Sequence, residues 1–184
     1  MTGDRDRARD TNQARDRARD RDGSGRPRNA RPRDGLGRPL PRGGPGEATM
    51  PGDLAVTGAE AAALADQLLR TGRPFHAHEV LESAWKNGPA AERDLWQGLA
   101  QIAVGLTHAH RGNARGAITL LRRGAARVRG YAAGAGAGSE SGEPRPFGIN
   151  VVEVVTAAED LAARIEQNGL AAVAAPDLNP GLLG

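Results

Sequence analysis

Within the stretch from Phe75 to Trp85, three residues have types and spacing suited to chemistry. At roughly 100° per residue, His78, Glu82 and Trp85 fall one above another on a helix, with Phe75 and Leu81 flanking them. An imidazole and a carboxylate on an otherwise apolar stripe need partners, because burying either alone is costly. One partner is a metal ion, which a His and a Glu at i and i+4 can share. His108, on a later helix, is the best third ligand, and Glu79 is the candidate general base or fourth ligand. With no cysteine in the chain, His and carboxylate ligands suit zinc, manganese or iron. The other solution is a buried network. There Glu82 accepts from His78 or His108, Gln97 and Gln101 bridge the helices, and Trp85 turns its indole N–H inward. His78-Glu79-Val80-Leu81-Glu82 is superficially similar to the His-Glu-x-x-His signature of metalloproteases, but a Glu stands at the second His, so that chemistry is not carried over. His76 and His110 point elsewhere and read as surface residues.

The elements that must position these groups are helices. Thr57 with Glu60 makes a capping-box pattern for a first helix over 58–70, with Ala61, Leu64 and Leu68 facing inward. Thr71-Gly72-Arg73-Pro74 ends it, and Pro74 suits the first turn of the helix that carries His78. Asn87-Gly88-Pro89 closes that one. A third helix over 90–111 has Leu95, Leu99, Ile102 and Leu106 as its core face and a separate polar line of Gln97, Gln101 and His108. Gly98 and Gly105 invite close approach of another helix, although each costs about 1 kcal/mol relative to Ala. Asn113 caps a fourth helix ending near Tyr131. Its Arg122, Arg123, Arg127 and Arg129 form a basic face that suits the helix dipole. Pro146 to Ile149 reads as a short extended piece, and Asn150 with Glu153 caps a last helix over 151–168. No alternating strand pattern occurs. The class is all-α, a compact antiparallel bundle of about five helices with a disordered N-terminal tail.

Charge separates the tail from the body. Residues 1–48 hold 13 arginines against 8 acids, while the rest holds 12 basic and 14 acidic residues, so the pI of about 10.4 belongs to the tail. Almost nothing in that segment can be buried, and chain entropy predicts disorder over 1–50. A helical domain over 54–168 follows, containing a glycine-rich linker at 130–145, and a flexible tail over 169–184 ends the chain. The arginine-rich arm over 1–48 is the candidate contact for nucleic acid or acidic partners. Synthesis beginning at Met50 would remove it. No apolar run approaches the roughly 18 residues that span a bilayer, and no secretory h-region is present, so the expected compartment is the cytoplasm. Ser83, Thr57 and Thr107 lack a His/Asp partner arrangement, and no glycine cluster forms a phosphate loop.

Several of these pieces resemble the DUF309 family of uncharacterised bacterial and archaeal helical proteins. They are Ala77-His78-Glu79-Val80-Leu81-Glu82 with Trp85, Gln97-Gly98-Leu99-Ala100-Gln101, His108 followed by Arg111-Gly112-Asn113, and Phe147-Gly148-Ile149-Asn150. The resemblance covers most of the body and neither tail. It implies a helical fold, no assigned activity, and a His-x-x-x-Glu-x-x-aromatic motif with a suggested metal-binding role. The glycine-rich insertion before Phe147 departs from the shorter link usual in the family. The reading is therefore an uncharacterised helical protein whose centre is the cluster of His78, Glu79, Glu82, Trp85, Gln97, Gln101 and His108. The alternatives are a metal-dependent hydrolase, with His78, Glu82 and His108 as ligands and Glu79 as the water-activating base, and an interaction factor using the N-terminal arm.

Overall fold

The computed structural model describes residues 32–41, 45–47, 56–135 and 145–183. Among them are five α-helices and no strand: α1 (Gly58–Arg70), α2 (Pro74–Asn87), α3 (Arg93–His110), α4 (Ala114–Ala135) and α5 (Val151–Asn168). Each boundary has a local cause. Thr57 Oγ1 accepts from the Glu60 N–H at 3.3 Å while the Glu60 carboxylate accepts from the Thr57 N–H at 2.8 Å, a complete capping box. Pro74 opens α2 at a position where its missing N–H costs nothing. A 3-10 turn, Ala90–Glu92, leads into α3, and Gly112 at φ 79° lets the chain reverse into α4. Asn113 and Asn150 accept from the N–H groups of Gly116 and Glu153 at 3.0 and 3.2 Å, starting α4 and α5.

Helix α3 is the central rod, packed along both α2 and α4; α1 covers α2 and α5 covers α4. Leu95, Trp96, Leu99, Ile102 and Leu106 on α3 meet Leu81 and Val80 of α2 and Leu121 and Val128 of α4 in one core. Small residues set the α3–α4 distance. A Cβ on Gly124 would lie 2.6 Å from the Gly98 carbonyl oxygen, and one on Gly105 would lie 2.9 Å from Leu121 Cγ. The backbones therefore touch, and the helical cost of those glycines is offset by contact.

Four expectations change. The C-terminal stretch, expected to be flexible over 169–184, is laid back over the bundle through residue 183. Leu182 is buried, its carbonyl accepts from the Asn150 N–H at 3.1 Å, and Asp66 accepts from the N–H groups of Leu182 and Leu183 at 2.6 and 3.0 Å. A buried leucine, the Asp66 carboxylate and an Arg164–Asp177 ion pair at 2.7 Å hold the stretch where composition predicted fraying. Pro146–Gly148 is a 3-10 turn rather than an extended piece, with Phe147 at φ 56°. Of the segment expected to be disordered, residues 32–41 and 45–47 lie against the body near Phe75 and Arg111; the expectation for 1–31, 42–44 and 48–50 lies outside the described residues. Helix α4 runs on to Ala135, past the predicted end at Tyr131, and the rest of the glycine-rich linker before 145 is likewise outside them.

Candidate functional site

The predicted cluster is only partly assembled. His78 and Glu82 share one face of α2 with Nε2 and Oε2 4.0 Å apart, too far for a hydrogen bond. Glu82 is instead paired with Lys86, at 2.9 Å. Burial pushes the His78 imidazole below its ordinary value, and the nearby Glu82 and Glu79 carboxylates oppose that shift without cancelling it. Its Nδ1 is buried without a hydrogen-bond partner, as is Oε1 of Gln101. Helix rise sets these two groups at a similar level along the bundle. His78 lies about 13 Å from the C-terminal end of α2 and Gln101 about 12 Å from the N-terminal end of the antiparallel α3. Gln97 falls level with Glu82 by the same measure, and Trp85 is half-buried against the core.

His108 is not part of this group. It lies about 22 Å along α3, roughly 9 Å beyond the level of His78. There its Nδ1 accepts from the Asn113 amide at 2.9 Å. Among the described residues no three His, Asp or Glu side chains are placed to hold a metal ion. Two ligands, one of them tied to a lysine, do not fit the resident metal of a hydrolase. The network reading changes too, because Glu82 pairs with Lys86 and Gln101 leaves Oε1 unbridged. The two histidines assigned to the surface also move. His76 is 1% exposed, and His110 donates from Nε2 to Asn179 Oδ1 at 3.1 Å and toward the Leu178 carbonyl at 3.3 Å.

The concave site lies elsewhere, at the α2–α3 turn. A cleft of about 510 Å³ opens between the N-terminus of α1, the C-terminus of α2, the turn before α3 and Phe147. Its floor is apolar, made by Val56, Ala84, Pro89, Trp96 and Phe147; its polar groups are Glu60, Glu92 and the Ser83–Asn87 pair, in which the Asn87 amide donates to Ser83 Oγ at 3.1 Å. Trp96 is fully buried, and its indole N–H donates to Glu92 Oε2 at 2.9 Å. Phe147 stacks on Trp96 with centroids 5.0 Å apart, and this contact, with Gly58 against the other part of its ring, holds the left-handed backbone of a bulky residue. The Thr57 backbone N–H, and then its hydroxyl, hold the Glu60 carboxyl below the usual carboxylate range. The described lining carries two carboxylates and no lysine or arginine. Sequence reading singled out none of these residues as functional, because they come from separated segments.

Three of the four arginines on the basic face of α4 pair with the protein's own carboxylates. Arg122 pairs with Glu166 at 2.6 Å, Arg127 with Asp94 at 2.6 Å and Arg129 with Glu159 at 2.5 Å. No helix among the described residues is long and apolar enough to cross a membrane.

Comparison with known proteins agrees with the family resemblance. Residues 63–120 match the family described as "Domain of unknown function (DUF309)". The uncharacterized protein YpuF of Bacillus subtilis (strain 168) is 44% identical over 48 residues, which are 26% of this chain and 28% of that protein. This chain thus spans well under a third of the curated relative it matches. No solved structure matches it. The matched stretch runs from α1 into α4 and includes His78, Glu82, Gln97, Gln101 and His108 together with Trp96 of the cleft; the helical unit over residues 63–120 is of the DUF309 family.

Proposed function

We propose that this chain is a binding module that holds an organic cation, an ammonium or amidinium with an apolar body, in the cleft at the α2–α3 turn. The observation that carries the reading is a roughly 510 Å³ concavity with an aromatic and aliphatic floor, two carboxylates and no cation among the described lining residues. That volume falls in the range of small-molecule sites, which pair apolar walls with few convergent polar groups. The cation would sit at Glu92 and Glu60 while its body covers Phe147. Benzamidine is a suitable probe, because its amidinium fits a carboxylate bidentately and its ring fits the floor. Saturable chemical-shift changes at Trp96 and Ser83, weakened about tenfold or more in Glu92→Gln, support the reading; changes absent at saturating probe, or unaltered by that substitution, overturn it. Gln keeps an acceptor for the Trp96 indole, so the variant tests charge and leaves the floor intact.

A second reading keeps the predicted centre, with His78, Glu82, Gln97 and Gln101 as the ligand-holding seam and Glu79 and Trp85 beside it. The unpartnered buried atoms of His78 and Gln101 favour it. An exchangeable ion would need Nε2 and Oε2 about 3.4 Å apart, somewhat closer than the observed 4.0 Å. Zinc titration of tag-free protein, read at the His78 ring nitrogens, separates the cases: a saturable shift lost in Glu82→Ala supports an ion, and an unmoved ring removes it. The hydrolase reading loses its third ligand with His108. The nucleic-acid reading rests on the arm, whose residues 1–31 lie outside the described part. A cytoplasmic setting remains part of the proposal, supported by the absence of cysteine from the sequence.

A further inference from the structure

The opposite end of α2 has a different chemistry. Helix α2 begins at Arg73 and Pro74 with no side-chain cap, so its positive dipole end has no local acceptor. Two side chains converge there, Arg73 and His76, and the acceptor between them is supplied by a distant segment. Glu47 places one carboxylate oxygen, Oε2, 2.5 Å from Arg73 Nη2 and 3.7 Å from Nε2 of His76. The second distance is too long for a hydrogen bond. Arg73 Nε and His76 Nδ1 are buried with no hydrogen-bond partner at all. His76 is 1% exposed, so its imidazole has no access to water in place of a partner.

The segment that delivers Glu47 is a strap. Asp34 accepts from the N–H groups of Leu36 and Arg38 at 3.0 and 2.7 Å and shapes its turn. Gly37, at φ 73°, packs against the Phe75 ring, with the Arg33 guanidinium over the same ring at 5.6 Å. Arg111 donates from both Nε and Nη2 to the Leu36 carbonyl, the first at 3.0 Å. Arg33, Arg73 and Arg111 thus crowd one end of the bundle, and a carboxylate satisfies one donor of the several present.

We propose that this end of α2 is a binding site for a phosphate dianion, with Arg73 and His76 as its ligands, and that the strap carboxylate of Glu47 occupies it as an undersized stand-in. A phosphate monoester has three terminal oxygens arranged tetrahedrally. It can engage both Nη2 and Nε of Arg73 and reach the imidazole while one oxygen faces the uncapped helix end. A planar carboxylate from one direction cannot do all of this. Binding would displace Glu47, which makes the strap a competitor whose removal exposes the site.

Inorganic phosphate is the probe, with acetate as the planar comparison. Isothermal titration of the full chain at constant ionic strength should show phosphate binding to Glu47→Gln at least tenfold tighter than to the unaltered protein. Acetate should bind the variant more weakly than phosphate. The double variant Glu47→Gln/Arg73→Gln should lose the gain. Equal phosphate affinity with and without the Glu47 charge overturns the proposal, as does a gain that survives loss of Arg73 or an acetate affinity matching that of phosphate. Glu47 is exposed, so its substitution leaves the core untouched. The mobility of the strap is a second readout: protease cleavage within 32–47 should accelerate on adding phosphate to the unaltered protein, and protection instead would count against displacement.

Discussion

The two ends of α2 differ in charge, cover and rigidity. At its C-terminal end the cleft is open and acidic, and its floor is Trp96, a member of the main core. At its N-terminal end the groups are basic and closed over by a strap held by polar contacts to Arg111 and Arg73. The first end is shaped by residues that also hold the molecule together, so a ligand there meets a preformed surface. The second is shaped by a removable segment, so a ligand there must compete. One helix can therefore present a rigid site and a gated one without any change in its own conformation, because what differs is the cover.

The sharpest way to break this contrast is to attack the floor of the open end. Trp96→Ala should cost about 3–5 kcal/mol of global stability, as expected for a fully buried aromatic. The same truncation at half-buried Trp85 should cost clearly less, and urea unfolding of both variants compares them; equal losses would mean that the cleft floor is not core. Next is Gly124→Ala, which forces the α3–α4 contact apart and should destabilise by about 1–3 kcal/mol despite the better helix propensity of Ala. It should lower the melting temperature and leave the strap alone. Arg111→Ala is the converse: loss of a charged donor to the Leu36 carbonyl should open the strap by about 1.5 kcal/mol or more. Amide exchange at Leu36 to Arg38 should then accelerate more than tenfold with little change in melting. If the whole protein melts earlier instead, the strap is not a separable cover.

The smallest effect concerns His78, between the two ends. Its imidazole titrates below the ordinary value of about 6.5 because it is buried. The unfolded chain therefore takes up the proton first as pH falls, and stability should decline below about pH 6.5 until the folded imidazole also titrates. His78→Gln should flatten that part of the stability profile measured by denaturant unfolding at several pH values. A profile unchanged by the substitution would place His78 in water.

Local signals were legible in the sequence, and relations between segments were not. Thr57 with Glu60, Asn150 with Glu153, Pro74 and Gly112 each set a boundary within one turn of themselves, and the helices start and stop where those residues predict. Gly98 and Gly105 announced the close α3–α4 approach for the same reason, since the missing Cβ is itself the contact. His108 was misjudged because facing across helices depends on axial level. Counting residues from the α2–α3 turn at 1.5 Å each would have set it about 9 Å past His78. The cleft was invisible because Phe147 enters it from far along the chain. The strap and the C-terminal stretch escaped notice because they dock through a few scattered contacts, such as those of Leu36, Glu47 and Leu182, instead of a periodic stripe.

The position of Asp66 has a practical consequence. Burial opposes the ionisation of its carboxyl, but Arg70 and the N–H groups of Leu183 and Leu182 outweigh that and keep it charged below the usual range. The final residues thereby fasten the first helix to the start of the last, much as a clasp joins the ends of a bracelet. A carboxypeptidase that trimmed the chain back past Leu182 would leave the half-buried Asp66 with Arg70 as its remaining partner and empty the hole the leucine fills. Loosening would then begin at α1, remote in sequence from the cut. Shortened or end-fused versions of the protein should accordingly keep Pro180 to Leu183 intact.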